Sequence, residues 1–246
     1  VISAQRSAAW SEVARRLAHE IKNPLTPIQL SAERLQHKLQ AKLPPTDQQL
    51  LERSVSTIVA QVQGMQRLVN EFRDYARLPS AQLAPLDLNA LISEVMGLYG
   101  NASEQGRLVV ALAQDLPAIM GDASQLRQVI HNLIQNGLDA VEAQADGCVT
   151  VATTVARNDD GQIRAVRLQV WDNGPGFADK VMKRAFEPYV TTKAKGTGLG
   201  LAVVRKIADE HGARIRLGNR QDGAAAGDTL RGAQVSLSFS KLAPAH

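Results

Sequence analysis

Ala18-His19-Glu20-Ile21-Lys22-Asn23-Pro24-Leu25 is the stretch around which the rest of the chain is organised. Apolar residues around it fall at Leu17, Ile21, Ile28, Leu35 and Leu39, with Pro24 and Ala32 at the intermediate steps. Steps alternating between three and four make a heptad seam, the mark of a helix packed lengthwise against partners. At about 100° per residue His19 lies roughly 200° from Leu17, on the side away from the seam. Asn23, four residues on, shares that side, and Glu20 flanks it one step round. A lone histidine on a helix is most simply a solvated surface residue. Two features point elsewhere, and a third excludes a metal motif. A carboxylate beside an exposed imidazole can accept from one ring nitrogen and leave the other as a nucleophile near neutral pH. Pro24 and Pro27 lie inside the helical pattern, each removing a backbone donor, which helices accept mainly where a bend is wanted. A metal-binding His-Glu-x-x-His would need a second histidine at position 23, which is Asn.

Outward from this stretch, residues from about 7 to 42 read as one helix. Pro44-Pro45 breaks it and Thr46-Asp47 offers an N-cap for a second. That helix is expected to reach Arg77, with Leu51, Val55, Ile58, Val62, Met65, Val69 and Phe72 again spaced four and three. Two heptad helices with a short connection predict an antiparallel hairpin. Its apolar stripe is broad enough to call for a second copy, giving a dimeric four-helix bundle. Periodicity fails at Leu78-Pro79-Ser80-Ala81-Gln82, so the expected organisation is a helical domain over 1–78, a linker over 79–84 and a second domain over 85–243.

Composition narrows the partners. The 246 residues are 44% hydrophobic and 21% charged, an ordinary globular balance, and only 4% aromatic, so the cores must be aliphatic. A net charge of +4 on dispersed basic residues, without basic-aromatic alternation, argues against nucleic-acid binding. A single cysteine, Cys148, excludes an internal disulfide and fits a reducing compartment. No apolar run approaches the roughly 20 residues of a membrane span. Because the chain opens with a helical pattern under way, the expectation is the downstream part of a longer protein, with sensing and any membrane anchor in a region upstream.

From Pro85 the texture becomes α+β. Helices are predicted over 88–99, 124–143 and 199–211, the last ended by Gly212. Strands are predicted over 108–112, 149–156, 166–171, 215–217 and 234–239, with Asn158-Asp159-Asp160-Gly161 as a hairpin turn. Asp222 to Arg231, rich in Gly and Ala, reads as a mobile loop.

Three segments here carry chemistry. In His131-Asn132-Leu133-Ile134-Gln135-Asn136, the two asparagines stack on one helical face, and paired carboxamides facing a cleft can ligate a hard cation through oxygen. Trp171-Asp172-Asn173-Gly174-Pro175-Gly176 follows a strand. Asp172 can accept from an exocyclic amine there, and Gly174 and Gly176 let the backbone approach a planar ring. Gly196-Thr197-Gly198-Leu199-Gly200 opens a helix, presenting free N–H groups and the positive dipole end as a phosphate cradle. Without Gly-Lys-Ser/Thr at the right spacing it is not a P-loop.

Taken together, the four stretches resemble the H, N, G1 and G2 boxes of sensor histidine kinases of two-component systems. Val13 to Leu35 is similar to the nitrogen-regulation NtrY-type members in particular. The resemblance spans nearly the whole chain. It implies an α/β-sandwich ATP-binding domain of the histidine kinase, gyrase, Hsp90 and MutL type. It also implies ATP-dependent phosphorylation of His19, passage of the phosphoryl group to a response-regulator receiver domain, and a reverse phosphatase activity. On that match Glu20 orients and deprotonates the imidazole, and Asn23 positions water for the reverse reaction. Asn136 is the Mg²⁺ ligand, Asn132 its partner near the phosphates, and Asp172 the reader of the adenine amino group. Residues between Phe177 and Gly196 resemble the lid over ATP, with Tyr189 where Phe is usual and Lys193 reaching the phosphates. Ala213 replaces a glycine common in the family, with little expected effect. Two rivals remain: an ATP-hydrolysing machine of the MutL or Hsp90 type, which would carry Glu where Asn132 sits, and a phosphatase-only scaffold with an idle pocket.

Overall fold

A computed structural model of the chain describes residues 2–187, 198–220 and 232–244. They divide near Pro79 into two compact units.

The first unit is a helical hairpin. Helix α1 (Ile2–Leu39) runs through Pro24 and Pro27 without a break. Pro24 cannot donate to the carbonyl of Glu20, nor Pro27 to that of Asn23, so the ladder is thinned beside His19. A single 3₁₀ turn, Gln40–Lys42, ends it. Helix α2 (Pro45–Arg77) does not begin on a Thr46 or Asp47 cap, as the sequence pattern suggested. Pro44 is the N-cap residue and Pro45 sits in the first turn, where its missing N–H is not needed. The carbonyl of Pro44 accepts from the N–H groups of Asp47 and Gln48, and the Gln48 side chain donates to Leu43 O. Those bonds close the turn that Thr46 and Asp47 were expected to cap.

The heptad reading holds in part. Of the expected seam residues, Ala32 on α1 and Val55, Val62 and Val69 on α2 are buried, joined by Ala18, Leu25 and Ala76 in a repeat of seven on each helix. Ile28 and Leu35 remain 47% and 55% exposed, as do Ile58 at 41% and Met65 at 49%. The buried residues, mostly small or β-branched, pack the two helices of the hairpin together, and the larger ones form a second stripe on both helices that the hairpin leaves exposed. Leu17 lies outside the residues whose side chains are described.

The second unit is a layer of helices on a five-stranded mixed sheet, with a small two-stranded sheet beside it. Its strands are β1 (Ala84–Leu86), β2 (Leu108–Ala111), β3 (Ile119–Gly121), β4 (Val149–Arg157), β5 (Ile163–Asp172), β6 (Arg214–Asn219) and β7 (Ala233–Phe239). Its helices are α3 (Leu88–Gly97), α4 (Gly100–Glu104), α5 (Ala123–Ala140), α6 (Asp179–Met182) and α7 (Gly200–Glu210). The main sheet has the order β2-β4-β5-β7-β6, with β2 parallel to β4 and every other pair antiparallel. The β4–β5 hairpin turns on Gly161 at φ 78°, with Asn158 Oδ1 accepting from the N–H of Gln162.

Inward residues of the strands, among them Val149, Val151, Leu168, Val170, Val235 and Leu237, meet the buried faces of α3, α5 and α7. This core is almost wholly aliphatic. A small second sheet pairs β1 with β3 and is extended by a bridge from Leu242 to Ile119. Strands β1 and β3 and helix α4 were not anticipated, because elements of three to five residues are too short to show a period.

Candidate nucleotide site and phospho-acceptor helix

Helix α5 starts where Asp122 caps it. The Asp122 Oδ1 accepts from the N–H of Ser124 at 3.0 Å and of Gln125 at 3.2 Å, satisfying donors that the first turn leaves open. From that fixed start, the apolar face of α5 (Val129, Ile130, Leu133, Ile134) is buried and rotates Asn132 and Asn136, four apart, to the partly buried side facing α7. Asn132 Nδ2 reaches Gly200 O at 3.5 Å. A Cβ on Gly200 would lie 3.4 Å from Asn136 Nδ2, in ordinary van der Waals contact, so the start of α7 lies beside that carboxamide. The first N–H groups of α7 lack helical acceptors at this same end.

Asp172 ends β5 and is only 6% exposed. Its Oδ1 accepts from the N–H of Gly174 at 2.8 Å and of Ala233 at 3.1 Å, which locks the carboxylate against rotation. Gly174 is required sterically: an added Cβ would stand 2.9 Å from Asp172 Oδ1 and 3.2 Å from Ala140 O. Gly176 is required conformationally, at φ 78° and with Asn219 Oδ1 2.9 Å from a notional Cβ. The turn between them is stapled from two directions. Asn173 accepts from the Cys148 N–H and donates to Asp146 O, while Asn219 accepts from the N–H of Phe177 and donates to its carbonyl.

Gly198, at φ 70°, turns the chain toward α7, and Leu199 is buried. Lys193, Gly196 and Thr197, like Tyr189, the lid between 188 and 197 and the expected loop at Asp222 to Arg231, lie outside the described residues. Among the described residues no cluster of three His, Cys, Asp or Glu could hold a metal. A hard cation ligated here by a carboxamide oxygen with phosphate and water completing its shell needs no such cluster, so the Asn136 position fits Mg²⁺. The glycine-lined approach to a fixed carboxylate likewise fits a planar ring bearing an amine.

On α1, His19, Glu20 and Asn23 are exposed, and Ala18 and Leu25 are the buried residues either side of them. His19 is thus displayed outward from the hairpin, as the heptad phase requires.

Two groups important to this geometry escaped the sequence reading. Asn219 sits at a strand end with no motif to mark it. His211 was expected only as the last residue of a helix, yet it is 2% exposed. Its Nε2 accepts from the N–H of Asp122 at 2.9 Å and its Nδ1 pairs with Ile207 O at 2.8 Å. These two bonds assign the proton to Nδ1 and tie the end of α7 to the start of α5. The residues after Pro79 join the same network: Gln82 N–H donates to Asp122 Oδ2 at 2.9 Å and Ala81 N–H to Glu210 Oε2 at 3.3 Å. Gly212 follows at φ 62°. Ala213 is buried outside the left-handed region, so no glycine is demanded there.

Partial burial pushes the Asp122 carboxyl up, but hydrogen bonds from Gln82, Ser124 and Gln125 outweigh it and hold the group below the usual carboxylate range. A depressed folded-state value makes the stabilisation fully present above the ordinary range near pH ~4, and lost as pH falls through the lowered value. Asp122→Ala should therefore lower stability at neutral pH by about 0.5–2 kcal/mol, the typical worth of a cap. Denaturant titrations should show that difference shrinking in strong acid. A difference independent of pH would show that the carboxylate contributes nothing as an ion.

Two family models match the chain: the His Kinase A (phospho-acceptor) domain over residues 9–81, and the histidine kinase-, DNA gyrase B- and HSP90-like ATPase over 121–242. Nitrogen regulation protein NtrY of Azorhizobium caulinodans is 36% identical across 99% of this chain and 30% of its own length. A putative sensor histidine kinase, NtrY-like, of Rickettsia typhi is 35% identical across 97% and 37%. The chain thus spans about a third of the length of these curated relatives. Among solved structures, full-length ShkA in complex with AMPPNP superposes with a TM-score of 0.66 at 28% identity, covering 96% of this chain and 47% of that one. Histidine kinase ThkA in complex with response regulator protein TrrA gives 0.63 at 25%, covering 97% and 64%.

Proposed function

The chain belongs to the sensor histidine kinases, and from that premise we propose that it transfers the γ-phosphoryl group of ATP to His19 and then to an aspartate of a response-regulator receiver domain. The observation that supports this reading is an exposed His19 on α1, together with a second unit in which Asn132 and Asn136 lie beside the start of α7 and Asp172 is fixed at the end of β5.

Asp172, immobilised by two backbone donors, accepts from the adenine amino group. Gly174 and Gly176 admit the ring. Asn136 holds Mg²⁺ through its carboxamide oxygen, with Asn132 beside the phosphates. Bound metal neutralises charge on the transferring phosphoryl group. Residues 196–200 offer backbone N–H groups to the same phosphates, and Lys193 adds a cation. Glu20 accepts from one ring nitrogen of His19, leaving the other to attack phosphorus as the bond to the ADP oxygen breaks. The ring proton passes to the carboxylate. Catalysis is then mainly positioning and charge neutralisation. Asn23, one turn from His19, places water for hydrolysis of the regulator's phospho-aspartate.

The ThkA complex, a histidine kinase bound to a response regulator, supports a receiver domain as the partner class. The uncovered stripe of Ile28, Leu35, Leu39, Ile58 and Met65 supports a homodimer, two hairpins closing one four-helix bundle. We place this portion on the cytoplasmic side of a sensor anchored through a region upstream. No described helix is long and apolar enough to cross a membrane.

The proposal is tested by incubation with γ-labelled ATP and Mg²⁺, followed by addition of a receiver domain. Label should appear on the chain and then leave it for the receiver. ATP turnover with no labelled chain would instead favour the hydrolysing-machine reading. For the dimer, Leu35→Glu with Ile58→Glu should raise the dissociation constant at least about tenfold, since each removes on the order of 1.5–3 kcal/mol of apolar burial. Sedimentation velocity giving an unchanged mass would reject the stripe as the interface.

A further inference from the structure

The main sheet has a second face, turned away from α3, α5 and α7, and its chemistry is one-sided. The register places three arginines on it, Arg167, Arg214 and Arg216, while the single acid of the sheet's strands, Asp172, points inward. On the open face the register sets three rows across β5, β7 and β6. Arg167, Ser238 and Arg214 form one, Gln169, Ser236 and Arg216 the next, and Trp171, Gln234 and Gly218 the third.

Short side chains on the middle strand make β7 the floor of a trough, and the longer residues of β5 and β6 make its walls. The concavity measures about 290 Å³ and is lined by Arg167, Gln169, Arg214, Arg216, Ser236 and Ser238, at the small end of ligand clefts. Arg167, Arg214 and Arg216 are exposed, and none pairs with a carboxylate among the described residues. Their like charges repel, so a carboxylate placed between them would be stabilised.

We propose that this trough is a docking surface for an extended acidic segment of a partner polypeptide. The spacing selects that occupant. Residues two apart on a strand lie about 6.8 Å apart, so Arg214 and Arg216 match carboxylates on alternate residues of an extended chain. The walls stand two strand spacings apart, about 10 Å, which admits one backbone over the serine floor. Serine hydroxyls and the Gln169 and Gln234 amides can meet main-chain groups between the charges. A single-stranded nucleic acid would look for free aromatic faces. The one aromatic here, Trp171, already has the Arg220 guanidinium over its ring at 4.7 Å.

A fluorescent peptide alternating glutamate and serine tests this against the whole chain by anisotropy. Wild type should bind it in a salt-sensitive manner. Arg214→Ser with Arg216→Ser should weaken binding at least about tenfold, as expected for losing two charge-assisted contacts. Nucleotide binding should be unchanged in that variant, since both residues lie on the far face of the sheet, and this doubles as the control for folding. If the double variant unfolds, Arg167→Gln serves in its place with the same expectation. Absence of binding, equal binding of a glutamine-serine peptide, or equal affinity in the variants would overturn the proposal. So would tighter capture of phosphatidylserine vesicles or of an oligodeoxynucleotide of equal charge.

Discussion

Replacing His19 by glutamine is expected to abolish transfer of label from γ-labelled ATP to the chain while leaving nucleotide binding intact. Glutamine keeps the polarity and size of the exposed side chain and is a good helix former. Neither Ala18 nor Leu25, the buried neighbours, is disturbed. What vanishes is the ring nitrogen, and no other atom at that position can form the phosphoramidate. Because the acceptor itself is removed, the loss should be complete rather than graded. The bond in wild type should be labile in acid and stable in base, which separates phosphohistidine from phosphoserine or phosphothreonine. Equal labelling of the variant would move the acceptor away from α1 and sink the assignment.

The second large effect is expected from Asn136→Ala, which should lower labelling at least about 100-fold, equivalent to about 2.7 kcal/mol of lost transition-state stabilisation. Asn136 is partly buried on α5 beside Gly200, and its carboxamide is the group proposed to hold the metal. Alanine is a better helix former than asparagine by roughly half a kcal/mol. The melting temperature should therefore hold or rise slightly, and the loss cannot be attributed to unfolding. Calorimetric titration should show that Mg²⁺ no longer strengthens ATP binding. A variant that retains both labelling and Mg²⁺ dependence would relocate the metal. Loss of labelling together with a collapsed melting transition would show that Asn136 is structural.

Much of this was open to a reader of the sequence because the determinants are local. The helix over α5, its Asp122 start, the β4–β5 turn and the stop at Gly212 each follow from steric preferences acting within a few residues. So does the outward placement of His19, a matter of phase along one helix. The start of α2 was misplaced by a residue or two, because Pro44 and Pro45 could be read either as breakers or as the first positions of the helix. The strands β1 and β3 left no trace, being stabilised by pairing with each other and with Leu242 rather than by any pattern of their own.

What the sequence determined by itself is the set of possible surfaces: two heptad stripes, a glycine-rich turn before a helix, and a carboxylate at a strand end. The tertiary structure decided which of them meet. Only assembly turned Ala18, Leu25 and Ala32 toward α2 and left Ile28 and Leu35 uncovered. Only assembly joined His211, Asp122 and Gln82 in one hydrogen-bonded chain and set Arg167 across a serine floor from Arg214. The reason is physical: periodicity and backbone sterics act between near neighbours, whereas burial and hydrogen-bond partnership depend on groups distant in sequence that are brought together by folding.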